Sequence, residues 1–221
     1  MCGRFTLHTP FHQLIERFAL QASDFQYAPS YNIAPTQQVM TLVSHEETRT
    51  VLHMRWGLVT PWQKQPQSRS PLINARLETI ADKPTFRRLV NDRRCLIIAD
   101  GFFEWVQEGS TKYPVYITLD QGEPFAFAGL WDDNTAPSCT IITQNATSAL
   151  KPIHHRMPLI LTPDWEQLWL TSTPFAQLQN LLPDQEERLF KYHRVSTFVN
   201  SPKNNDAACI LPSDWQSQNQ A

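Results

Sequence analysis

The chain has 221 residues, 41% hydrophobic and 18% charged, with a formal charge of −2. That length can bury a core within one domain, the composition excludes a disordered chain, and no apolar run approaches the roughly 20 residues of a membrane span. The charge argues against a strongly basic nucleic-acid binder, but it is uneven: residues 1–110 hold 12 Lys+Arg against 10 Asp+Glu, and residues 111–221 hold 7 against 11. Any nucleic-acid contact must therefore use a local basic groove in the first half.

The chain opens Met1-Cys2-Gly3. Removal of Met1 would leave Cys2 with two nucleophiles, a thiol and an α-amine. The amine has a reference pKa of about 7.7–8.0 against roughly 10.4 for lysine. Such a 1,2-aminothiol traps aldehydes: the amine forms an iminium and the sulfur closes a five-membered thiazolidine. A free cysteine is also a common small buried hydrophobe, so Cys2 alone carries no assignment.

Thr9-Pro10 predicts a helix start, with Thr9 as cap and Phe11, Leu14, Ile15 and Phe18 as one buried stripe. Asn32-Ile33-Ala34-Pro35 reads as a turn, and residues 38–43 and 50–56 as a β-hairpin. Residues 57–71 lack periodicity and read as a long loop containing Trp62. Two short helical stretches are predicted at 77–81 and 84–90. The densest strand signal follows, in residues 95–99, 103–106, 113–119, 125–131 and 139–143. A further strand is expected at 157–161. Thr162-Pro163 and Thr173-Pro174 repeat the cap pattern of Thr9, and a last strand is expected at 188–195. The pattern is α+β: a mostly antiparallel sheet or open barrel flanked by short helices, in one domain over 1–221 whose core ends near residue 200 before a polar tail. Cys2, Cys95, Cys139 and Cys209 are widely spaced and no secretory signal is evident, so a reducing, cytoplasmic setting is expected.

Several residues invite chemistry. Glu104 lies in Gly101-Phe102-Phe103-Glu104-Trp105, where alternation sets it on the Phe102 face; a carboxylate there needs a partner or a raised pKa suited to proton transfer. A structural, salt-bridged glutamate fits the local sequence equally well. His154 and His155 offer proton shuttling. Adjacent histidines diverge and no cysteine spacing suits zinc, so no metal is expected. Asn74 and Arg76 share a face if their segment is extended. Together with Arg4 they are able to hold a phosphate near the aminothiol, and Trp62 and Trp105 to stack on unpaired bases. Core packing and surface ion pairs are the alternatives for these side chains.

Taken jointly, Met1-Cys2-Gly3-Arg4-Phe5, Tyr31-Asn32-Ile33-Ala34-Pro35-Thr36, Trp56-Gly57-Leu58, Ile73-Asn74-Ala75-Arg76-Leu77-Glu78-Thr79, Gly101-Phe102-Phe103-Glu104-Trp105 and Ile153-His154-His155-Arg156-Met157-Pro158 resemble the SRAP family. These are the SOS-response-associated peptidases, also described as abasic-site processing proteins, and the likeness runs from Cys2 to about residue 200. The resemblance implies a monomer, cytoplasmic and nucleoid-associated if bacterial, that binds single-stranded DNA and cross-links the aldehyde of an abasic site to Cys2 without a cofactor. The cross-link would shield the lesion from strand cleavage in the DNA damage response. It further implies a weak lyase activity and a peptidase function, removal of its own Met1. Carried over by position, Cys2 is the nucleophile, Asn74 positions its amine and the sugar, Glu104 moves protons, and His154 serves the deoxyribose end. Arg4, Arg76, Arg156, Trp62, Trp105, Asn32 and Pro35 form the implied DNA-binding set. His155 stands where the family usually has aspartate.

Three other readings use the same residues. Glutamine amidotransferases also begin Met-Cys-Gly, and an N-terminal-nucleophile amidohydrolase would use Cys2 with its own amine as base. A thiol protease would use Cys2, His154 and Glu104 as a triad-like set. A non-catalytic DNA-binding module would form reversible complexes alone.

Overall fold

The computed structural model describes residues 2–21, 25–45, 48–59, 71–134, 136–182, 185–186 and 188–213. It is a mixed α+β fold, mostly antiparallel, with few and short helices. The first strand β1 (Arg4–Leu7) leads into α1 (Phe11–Phe18), then β2 (Ser30–Ile33), the hairpin β3 (Gln38–His45) and β4 (Thr48–Trp56), and β5 (Asn74–Arg76). A 3₁₀ turn (Leu77–Thr79) and α2 (Pro84–Arg87) precede the central strands β6 (Arg94–Ala99), β7 (Gly101–Glu108), β8 (Thr111–Leu119), β9 (Phe125–Asp132) and β10 (Ser138–Asn145). β11 (Arg156–Pro158), β12 (Ile160–Leu161), α3 (Pro163–Trp169), α4 (Phe175–Leu181) and β13 (Phe190–Arg194) complete the order, followed by 3₁₀ turns at Thr197–Asn200 and Ala207–Cys209. No described helix is long and apolar enough to cross a membrane.

Two sheets result. The smaller runs β13-β8-β7-β1-β2, and the larger runs β11-β10-β4-β3-β6-β9-β12 with β5 on β10. β9 also pairs with β10, so the pairings from β10 through β4, β3 and β6 to β9 return to their start. Most pairs are antiparallel; β10 meets β4 and β5 in parallel. The main core lies where the sheets meet, and Phe5 of β1 packs edge-on against Trp56 and Phe127 of the larger sheet, with centroids 5.0 and 5.7 Å apart. A second, smaller cluster of Phe103, Tyr116, Val195, Val199 and Cys209 covers the other face of the smaller sheet. The packed chain therefore continues past Asn200, and an isolated bridge joins Val195 to Pro212.

The strong apolar runs all form strands where expected, and residues 74–76 are extended. Two of the three threonine caps differ from expectation. Thr9 does not cap α1: its N–H and hydroxyl both go to the buried Asp100, and Pro10 takes the cap position with no side-chain bond. Pro174 likewise takes the cap position of α4, whereas Thr162 stands at the cap of α3 with Pro163 opening the helix, as expected, though without a side-chain bond. Ile15 is 37% exposed and leaves the expected stripe, while Leu14 and Phe18 are buried. The expected strand at 157–161 is two, because Leu159 bonds instead to Ile142 and Ala128 between β11 and β12. Trp62 and most of the expected loop at 57–71 lie outside the described residues.

Asp100 fixes the first strand in place. It is 3% exposed and accepts hydrogen bonds from Thr6 Oγ1 (2.5 Å), His8 N (2.6 Å), Thr9 N (2.8 Å) and Thr9 Oγ1 (2.9 Å). One carboxylate thus satisfies the donors where β1 turns into α1, and so anchors the strand that follows Cys2. Asp100→Ala orphans the backbone N–H groups of His8 and Thr9 and the Thr9 hydroxyl, while the Thr6 hydroxyl keeps the Tyr116 hydroxyl and the Gly101 carbonyl, and is expected to cost about 3 kcal/mol or more of stability by chemical denaturation. A loss below about 1 kcal/mol would show that β1 is held by other contacts.

Candidate functional site

Cys2 immediately precedes β1 and is wholly buried among the side chains between the sheets. Its thiol is held well above the ordinary cysteine range, by burial first and then by the negative charge of Glu104. The sulfur accordingly stays protonated near neutral pH, donating weakly to the Arg4 carbonyl at 3.6 Å. Glu104, in β7, is itself only 5% exposed. β1 pairs with β7 through Arg4 opposite Phe103, and one further residue along that register sets Gly3 against Glu104.

Asn74 begins β5 on the opposite sheet, and its Nδ2 donates to the Cys2 carbonyl at 2.8 Å. Its Oδ1 is buried with no hydrogen-bond partner among the described residues. An acceptor therefore stands beside the main chain of Cys2, where a freed α-amine would bring donors.

β5 and β11 flank β10: Thr143 lies opposite Arg76 on one side and Pro158 on the other. His154 sits just before β11, half-buried, and the main-chain N–H of Arg156 donates to its Nδ1 at 2.9 Å. In that form the ring carries its proton on Nε2. The exposed ring of His155 stacks on it with centroids 4.4 Å apart, and the charge of His154 lowers the pKa of His155.

The three arginines of the expected DNA-binding set fall in different environments. Arg4 donates to Asn32 Oδ1 (2.7 Å), Val199 O (2.8 Å) and Asn200 O (3.0 Å). Arg156 is 7% exposed, and its guanidinium meets Glu78 Oε1 (2.5 Å) and Oε2 (3.0 Å), Asn145 Oδ1 (3.1 Å) and Thr143 O (2.6 Å). Arg76 alone of the three is exposed, and its side chain makes no hydrogen bond or ion pair among the described residues. Asn32 is 1% exposed and ties Arg4 to the carbonyls of Val199, Ser201 and Asn204. Pro35 lies half-buried in the β2–β3 turn, and Trp105 is half-buried with its Nε1 donating to Asn200 Oδ1 at 2.8 Å.

Cys2, Glu104 and Asn74 come together, with His154 across β10 from β5. Sequence reasoning gave Glu78 no role, although it stands two residues after Arg76 in the same motif. Its place as the partner of a buried arginine was not legible, because that partner lies 78 residues away. Among the described residues no group of three or more His, Cys, Asp or Glu side chains converges as a metal ion needs.

The family described as SOS response associated peptidase (SRAP) matches residues 1–202. The abasic site processing protein YoqW of Bacillus subtilis is 40% identical over 221 residues, covering 95% of this chain and 99% of that one. The abasic site processing protein YedK of Escherichia coli is 31% identical, covering 96% of this chain and all of that one. A crystal structure of a protein from Bacteroides thetaiotaomicron superimposes with a TM-score of 0.80 at 26% identity, over 96% of this chain and the whole of that one.

Two outcomes follow from the arginine environments. Arg4→Ala should lower stability by about 1.5–3 kcal/mol through lost charge-assisted bonds, yet leave the salt slope of DNA binding unchanged. A slope reduced by about one would instead place Arg4 on a phosphate. Burial raises the Glu78 carboxyl, but the Arg156 hydrogen bond and the charges of Arg156 and Arg76 outweigh it, so the group sits below its ordinary 4.5. A depressed carboxylate stabilises the fold above the unfolded pKa and loses that contribution as pH falls through the folded one. The stability gap between the native chain and Glu78→Gln should therefore be full at pH 7 and close as pH falls below 4.5. Equal gaps at both ends of that range would contradict it.

Proposed function

The chain belongs to the SOS response associated peptidase family, and on that premise we propose that it processes abasic sites, capturing the sugar aldehyde in single-stranded DNA on Cys2 after Met1 is removed. The observation that carries this reading is the convergence on the Cys2 residue of a buried carboxyl and an amide from opposite sheets. Release of Met1 is a peptide hydrolysis, the one proteolytic step the reading requires.

The order of events follows from the charges. With its thiol kept protonated, Cys2 attacks first through nitrogen. The freed amine adds to the ring-opened aldehyde, and the carbinolamine loses water to give an iminium. Asn74 Oδ1 orients the amine by accepting one of its hydrogens while Nδ2 holds the carbonyl. Sulfur then adds to the iminium carbon, its proton passing to Glu104 as the C–S bond closes the thiazolidine. One water leaves for each cross-link, and no oxidant or cofactor enters. Glu104 protonates the departing hydroxyl in the first stage and accepts the thiol proton in the second. His154, with hydrogen on Nε2, donates to a deoxyribose oxygen during ring opening. Elimination from the iminium before sulfur closes would give weak strand cleavage.

The buried sulfur weighs against a thiol protease, which needs a thiolate paired with an imidazolium. Burial and the Glu104 charge push Cys2 the other way. The partner is an abasic single strand met by a monomer. With Arg4 and Arg156 engaged internally and Arg76 exposed, few phosphates are neutralised and the salt dependence of binding is shallow.

The Met1-free protein mixed with a single strand bearing one abasic site should give a covalent band on a denaturing gel. Cys2→Ala should abolish the band, and Glu104→Gln should slow its formation by about a hundredfold. An undiminished band in Cys2→Ala, or turnover of glutamine or added peptides without DNA, would replace this reading with a hydrolase.

A further inference from the structure

We propose that Glu78 is a positioning residue for this reaction: by clamping the Arg156 guanidinium it fixes the main-chain N–H that holds His154 with its proton on Nε2. The proposal rests on the abasic-site reading above for its chemistry, and on geometry alone for the clamp.

One five-residue segment, from Asn74 to Glu78, reaches both halves of the site. Asn74 at its start holds the carbonyl of Cys2 at 2.8 Å. Glu78, in the 3₁₀ turn that follows β5, grips both terminal nitrogens of Arg156, at 2.5 and 3.0 Å. The same guanidinium is bound by Thr143 O and Asn145 Oδ1 from β10. A guanidinium held on several sides leaves its own backbone little freedom, and Arg156 N–H is the group that meets His154 Nδ1 at 2.9 Å.

The consequence is a choice of tautomer. The carbonyl of the same Arg156 stands 3.1 Å from the same Nδ1. If the ring turned its Nδ1–H to that carbonyl, Nε2 would become a bare acceptor, able to take a proton and unable to donate one. The two states differ by a small shift of a single residue's main chain against one ring nitrogen. Glu78 holds Arg156 where the N–H contact is the shorter. It thereby keeps His154 as a donor to the sugar and leaves base work to Glu104. The exposure of the pair fits this use: the Arg156 side chain is 7% exposed and the Glu78 side chain 44%. An arginine serving a phosphate would present its guanidinium to solvent, whereas this one is turned inward and met by a carboxylate at the surface.

The test compares the Met1-free native chain with Glu78→Gln. Single-turnover cross-linking should slow about ten- to a hundredfold, the range expected when a reacting group is displaced by a fraction of an ångström to one ångström. The Kd for a strand carrying a tetrahydrofuran analogue, which has no aldehyde, should stay within about twofold. The ¹⁵N resonances of the His154 ring should change from the Nε2–H form to a mixture of tautomers, and Glu78→Asp should restore part of the rate. An unchanged tautomer in Glu78→Gln, or a rate loss that follows weaker DNA binding, would overturn the proposal. Should Glu78→Gln fail to fold, Glu78→Gln combined with Arg156→Gln removes the buried charge. That folded double variant should still be slow and tautomerically mixed, and native behaviour from it would equally overturn the clamp. If the native chain forms no cross-link, the abasic-site reading fails, while the ring resonances still decide whether Glu78 sets the tautomer.

Discussion

A single hydrogen bond, from Asn74 Nδ2 to the carbonyl of Cys2, links the residue that opens the smaller sheet to the short parallel strand on the larger one. Most other features of the site take their positions from that link. Behind it, Asp100 fixes the far end of β1, so Cys2 is located from both directions. Beside it, β7 pairs with β1 and carries the buried Glu104 carboxyl, whose charge acts on the Cys2 thiol. Beyond it, β10 carries β11 and with it His154. The reactive groups come from four separated stretches of sequence, and their meeting is a property of strand order and register rather than of any local motif.

The site concentrates polar groups where the fold would otherwise be apolar. Glu104, Asn32 and Arg156 are set among strands whose buried positions are chiefly aliphatic and aromatic, and each buried polar group carries a desolvation cost that apolar packing elsewhere must offset. The long β6–β9 pairing and the β3–β4 hairpin supply that packing, with Leu96, Ile98 and Phe127 wholly buried. Such an arrangement is stable because the polar groups hold one another: Arg156 with Glu78, Asn32 with Arg4, Asp100 with the start of α1. It also explains why two arginines near the proposed DNA path act as internal ties.

Sequence patterning identified the parts of this fold that depend on apolar runs. The strands from β6 to β10 and the β3–β4 hairpin were legible because continuous or alternating apolar residues have few other solutions. β1 and β2 were not, since each is four residues long and its pairing is long-range; Arg4–Leu7 and Ser30–Ile33 carry no periodicity that separates them from loops. Thr9 misled as a cap for a physical reason: its hydroxyl bonds to the Asp100 carboxylate, 91 residues away. The same limit applies at the site. Cys2, Asn74, Glu104 and His154 stood out as residue types in suggestive settings. Which arginines were committed internally depended on Asn32, Glu78 and the turn at Thr197–Asn200, partners that no local pattern connects.

The account stands on nitrogen and sulfur of one terminal residue acting together on a sugar carbon. Proteolytic mapping by mass spectrometry of the product formed with an abasic strand measures this most directly. The expected result is a deoxyribose remnant on the N-terminal Cys2 peptide alone, its mass one water below the sum of the reactants and its thiol no longer open to alkylation. A remnant on a lysine or on another cysteine, or a Cys2 peptide whose thiol still alkylates, would contradict it.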